Sequence, residues 1–132
     1  MRSVFFRRFA TGAFFAYLAI MTGAPPLWAA GLEGKYMVEG RDPKSSSRYH
    51  GQVVVVKESD TYTVIWKIQS QVLYGTGVLQ NNVFAVTYLN YGPRGAPGLA
   101  VYETSPEGSL TGKFTMLGAK EVGIEAWIPI AP

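Results

Sequence analysis

Eight short runs of alternating apolar and polar residues constrain this chain more than any other feature. They read KYMVEG (35–40), YHGQVVVV (49–56), TYTVIWKI (61–68), VLYGTGVL (72–79), VFAVTYL (83–89), GLAVYET (98–104), SLTGKFTM (109–116) and EVGIEAWI (121–128). A period of two places every second side chain on one face of an extended strand, and no helical period competes with it beyond Gly31. The connections are turn-like. Asn81-Asn82 suits a tight hairpin because asparagine tolerates left-handed angles, and Ser105-Pro106-Glu107-Gly108 places proline and glycine for a four-residue turn. A meander of this kind with one apolar face hides its edges by closing. The expectation is an all-β, eight-stranded antiparallel up-and-down barrel. A two-sheet β-sandwich is the competing architecture, since periodicity alone does not separate the two.

Residues 1–30 stand apart. MRSVFFRR is a basic start, FATGAFFAYLAIMTG an apolar stretch, and APPLWAA ends in the small residues Ala29 and Ala30. That order describes a secretory signal peptide, which makes 31–132 a single β-barrel domain and the protein an exported one, periplasmic or extracellular. An uncleaved anchor is the alternative, disfavoured by Pro25-Pro26 and by the short apolar core. Arg2, Arg7 and Arg8 account for three of the 12 Lys+Arg, so the remainder of the chain balances its 9 Asp+Glu. The basic character belongs to the leader and gives no support to nucleic-acid binding. No cysteine is present, so neither a disulfide nor a lipid-bearing cysteine anchor is available.

The residue inventory points away from catalysis. His50 is the one histidine, set in a strand between Tyr49 and Gly51 with no nucleophile motif nearby, and it reads as a surface residue. The usual zinc ligand sets are missing, no phosphate-cradling loop precedes a helix, and no cofactor or metal is expected. Glu121 and Glu125 would lie about 13 Å apart on one strand face, too far for a glycosidase carboxylate pair. Glu125 can be read two ways. If Val122, Ile124 and Ala126 pack inward, which their apolar character favours, Glu125 faces solvent. If Trp127 points inward instead, Glu125 becomes a cavity-facing acid in need of partners.

Gly75 and Gly77 raise a question of space. Glycine inside a strand marks curvature, a bulge or a close approach, and Gly51, Gly112 and Gly123 share the pattern. Some of this glycine serves closure. Gly75 and Gly77 are also expected to leave room on the inner wall for a ligand, with Trp66 and Tyr62 on the same inward face and Glu125 and Trp127 as further candidate ligand-binding residues. Strand parity puts the long connections RDPKSSSR (41–48) and NYGPRGAP (90–97) at one rim, with 69–71 and 117–120. Arg41, Arg48, Tyr91 and Arg94 are candidate partner-binding residues there. The residues 31–132 hold seven tyrosines and two tryptophans against two phenylalanines, a balance suited to a binding surface that stays soluble.

GKYMVEGRDP, SRYHGQVVVVKESDTYTVIWKI, YGTGVL, PGLAVYETSPEGSLTGKF and EVGIEAW together resemble small secreted bacterial proteins that carry the name fibronectin-binding protein. The resemblance runs from Gly34 to Trp127, and its style is similar to avidin-like and lipocalin-like barrels. It implies matrix binding. This chain departs from the adhesin pattern, since Arg94-Gly95 is followed by Ala96 rather than aspartate and no acidic repeats are present. The expectation is a non-enzymatic exported barrel that binds a small ligand or an extracellular protein at a loop-rich mouth; a fibronectin- or matrix-binding protein, or an inhibitor of a secreted hydrolase, is the alternative.

Overall fold

The computed structural model describes residues 31–90 and 95–132. Eight strands follow one another: β1 (Gly34–Arg41), β2 (Arg48–Glu58), β3 (Thr61–Ile68), β4 (Gln71–Gln80), β5 (Val83–Asn90), β6 (Gly98–Thr104), β7 (Leu110–Met116) and β8 (Gly123–Pro129). Each pairs antiparallel with its neighbour, and β1 pairs with β8 from Tyr36↔Pro129 to Arg41↔Ile124, so the sheet is a closed barrel. The sandwich is ruled out by that last ladder, which leaves no edge to cover.

Turn chemistry sets the register. Ser59, Gln69 and Asn81 all take positive φ in two-residue connections, and Gly108 does so in the Ser105–Ser109 turn, where its N–H donates to the Ser105 carbonyl at 3.0 Å. The 42–47 connection is folded around Asp42. Its carboxylate accepts the N–H groups of Lys44 and Ser45 at 2.8 and 2.9 Å, which holds its acid below the ordinary range. Alternate connections share an end, as parity requires. At the end holding 42–47, the Leu117 N–H donates to the Pro97 carbonyl at 2.9 Å and ties two connections together.

The opposite end is plugged. Leu32, 3% exposed, sits under the barrel where its carbonyl accepts the Tyr36 hydroxyl at 2.7 Å. Glu33 anchors the same segment by accepting the Lys57 N–H at 2.9 Å. Above the plug, Tyr62 and Phe84 meet edge to face at 5.5 Å, and Leu110, Val38 and Val55 fill the gaps between them. Trp127 occupies the middle with no exposed surface. Its ring lies 4.4 Å from Tyr102, 5.7 Å from Trp66 and 5.6 Å from Tyr36. An eight-stranded barrel is just wide enough for its own side chains to fill, and in this half they do.

Candidate functional site

The other half of the barrel is lined differently, and glycines are the reason. Going round the wall, Gly40 faces Tyr49 across β1–β2, Gly98 faces Tyr88 across β5–β6, Gly112 faces Tyr102 across β6–β7, and Gly123 faces Phe114 across β7–β8. In each pair the ring covers the place where a glycine side chain would stand. Rings laid against bare backbone line the wall instead of crossing the lumen. The result is a hollow of about 330 Å³ between the aromatic floor and the rim. Trp66, Ile68, Leu73, Tyr88 and Phe114 form its apolar wall, and Asp42, Ser45, Arg48, Gln69 and Gln71 surround its mouth. The size lies at the low end of the range for small-molecule sites.

Glu125 stands in this hollow, 7% exposed, directly above Trp127 on β8. One carboxylate oxygen, Oε2, accepts the Trp127 indole N–H at 3.0 Å and a very short bond from the Tyr102 hydroxyl. The other, Oε1, accepts the Tyr49 hydroxyl at 3.0 Å. Burial raises the acid above its ordinary value, and the bonds from Tyr102, Trp127 and Tyr49 pull it part of the way back. The same burial and the adjacent carboxylate push the Tyr49 and Tyr102 hydroxyls far up and Tyr88 up to about 12. All three stay neutral donors at any ordinary pH. Every one of Glu125's hydrogen-bond partners is therefore uncharged, and among the described residues no ion pair reaches it.

The structure distributes the expected site residues unevenly. Trp66 and Glu125 line the hollow. Trp127 lies beneath it as a floor and as a donor to Glu125. Tyr62 lies at the plugged end against Phe84, well away from the mouth. Gly75 and Gly77 do not leave a vacancy: a side chain at Gly75 would meet Trp66 and Val86 at 2.9 Å, and one at Gly77 would meet Phe84 at 2.5 Å. Their space is already taken by the core. The orientation favoured for β8 is also corrected, since Gly123, Glu125 and Trp127 face inward while Ile124 is 49% exposed. Val122 is exposed as well. Filling the axis with an indole outweighs burying three smaller apolar groups.

Arg41 and Arg48 are paired across the β1–β2 ladder and both exposed, Arg48 at the mouth and Arg41 over an outer depression beside Glu39, Glu103 and Lys113. Tyr91 and Arg94 lie outside the described residues. His50 faces outward with a 70% exposed side chain, 3.9 Å from Glu39. Sequence reading passed over Tyr49, Tyr88, Tyr102 and Phe114. The available signal was that each pairs with a glycine once the hairpin register is fixed.

No protein-family model and no curated protein matches this sequence. Solved structures do. A redesigned β-barrel, mFAP1, bound to DFHBI, matches with a TM-score of 0.59 at 14% identity, covering 72% of this chain and 93% of that one. A structure described as the REP1-NXSQ fatty acid transporter matches with a TM-score of 0.52 at 9% identity, over 78% and 98% of the two chains. At these identities the likeness is one of fold. This chain shares the closed antiparallel barrel of that class.

Proposed function

We propose that this protein is a non-enzymatic binding barrel that takes up a small ligand at its mouth, and that it acts after export. One observation carries the reading: the plugged half is filled to the axis, while the mouth half holds a hollow of about 330 Å³ beside Trp66 with polar groups at its rim. A protein that only presented its loops to a partner would have no need of that space. Both structural neighbours are named with small molecules, DFHBI for the redesigned barrel and fatty acid for the transporter. Against catalysis stands the position of His50 on the outer surface, away from the hollow. Both oxygens of Glu125 are engaged by fixed donors, which suits recognition better than proton transfer. Export rests on the order of basic, apolar and small residues in 1–30.

Native mass spectrometry of the protein purified from its own host tests this. The expected result is a retained small-molecule adduct that organic solvent strips away. An adduct-free protein that also fails to bind 2-phenylethanol at millimolar concentration would overturn the reading.

A further inference from the structure

The binding reading leaves the ligand's chemistry open, and the charges lining the hollow narrow it. Glu125 is the one carboxylic acid or basic side chain among the described residues that points into the barrel above the floor, the rim side chains aside. Its carboxylate is nine-tenths removed from water and held by neutral hydroxyl and indole donors. Neutral donors spread a negative charge without cancelling it, and buried charges in folded proteins are ordinarily matched by an opposite one. The nearest cation in the lining, Arg48, stays exposed at the mouth. Among the described residues the site lacks a matching positive charge, and the hollow above it is where one fits.

We propose that the cavity selects an organic ammonium ion, its nitrogen seated on Glu125 and its hydrocarbon body lying against the wall formed by Trp66, Tyr88 and Phe114. This deepens the binding reading and rests on it. The ring faces of Trp66 and Tyr88, whose centroids lie 5.7 Å apart, offer negative quadrupole surface to a cation, and Tyr49 and Tyr102 add their rings beside the carboxylate. In a low-dielectric hollow the attraction between ammonium and carboxylate is much stronger than in water. A carboxylate ligand meets the reverse. It would lie against Glu125 with no lysine or arginine among the described residues below the rim to receive it, so the fatty-acid chemistry named for one structural neighbour does not suit this interior.

Isothermal titration with three probes of nearly one shape tests the assignment: 2-phenylethylamine, 2-phenylethanol and 3-phenylpropanoate at neutral pH. The amine is expected to bind at least about tenfold more tightly than either of the others, and Glu125→Gln is expected to erase that preference. Equal or tighter binding of the alcohol or the carboxylate by the unaltered protein overturns the ammonium assignment and leaves the binding reading standing. An amine preference that survives in a folded Glu125→Gln protein overturns the assignment too. If none of the three binds, the ammonium assignment falls, and the binding reading falls with it when the protein from its own host also carries no adduct. The comparison in the unaltered protein decides the matter even if the variant does not fold.

Discussion

Gly112 lies directly across the β7–β8 ladder from Glu125, and the ring of Tyr102 covers the place a Gly112 side chain would take. On the other flank Gly40 pairs with Glu125 across β1–β8 and is covered in the same way by Tyr49. The acid is thus bracketed by two bare backbone positions. Each lets a tyrosine from a more distant strand lie flat and bring its hydroxyl to the carboxylate. A sheet with side chains at both positions would hold the acid without its donors.

Substitution at Gly112 should therefore disturb both the fold and the site. An added methyl would collide with the Val101 carbonyl, which is backbone, as well as with the Tyr102 ring. Gly112→Ala is expected to destabilise the barrel by about 2–3 kcal/mol, in the range of overpacked cores. Urea denaturation measures the loss. Near-ultraviolet circular dichroism should change with it, because Tyr102 packs 4.4 Å from Trp127.

Trp127 combines two roles that separate by substitution. Trp127→Ala empties the middle of the barrel and should reduce stability by about 3–5 kcal/mol. Trp127→Phe keeps much of the packing against Tyr36, Trp66 and Phe84 but removes the indole N–H from Glu125. A lost hydrogen bond to a charged group sets the expected change for that variant at about 1.5–3 kcal/mol. Parallel denaturation curves for the two variants give the split. Equal losses would mean that the hydrogen bond, rather than the packing, dominates at this position.

The strands and their closure were legible in the sequence because alternation and turn residues are local signals. The facing of β8 was not. Val122, Ile124 and Ala126 are more apolar as a set than Gly123, Glu125 and Trp127, yet several large apolar side chains point outward elsewhere too, Val78 at 55% and Leu99 at 48% exposure among them. Hydrophobicity is a poor guide to the inward face in such a barrel. What decides it is the fit of Trp127 on the axis and the arrival of donors for Glu125 from 76 and 23 residues away. The glycines show the same limit. Each can be seen in the sequence as a gap, but the ring that fills it sits on another strand.

Glu125 gives stability a pH dependence whose sign follows from burial. Its folded-state pKa is raised above the ordinary value, chiefly by burial, so the folded protein holds the proton more tightly than the unfolded chain does. The stabilisation is complete below the unfolded value, near pH 4.3, and is lost as pH rises through the folded one. Tyr49, Tyr88 and Tyr102 stay neutral across that window. Melting temperatures of the native protein and Glu125→Gln, followed from about pH 4 to 8, should show the native protein losing ground against the variant as pH rises. Titrations common to both cancel in the difference. A flat or rising difference would contradict a buried, reluctantly ionised acid.

The hollow itself can be filled without touching Glu125. Leu73 lies on β4 in the apolar wall, half-buried, and its neighbour across the β3–β4 ladder is Trp66. A larger side chain there grows into open space instead of into packed core, so Leu73→Trp should change stability by less than about 1.5 kcal/mol. The hydrogen bonds to Glu125 come from β2, β6 and β8 and stay intact. Probe affinity should nevertheless fall at least about tenfold, because the indole occupies the volume a ligand body needs. Titration calorimetry with 2-phenylethylamine reads the affinity and thermal melting reads the fold. Unchanged affinity in a folded Leu73→Trp protein would place the bound molecule outside the mouth cavity.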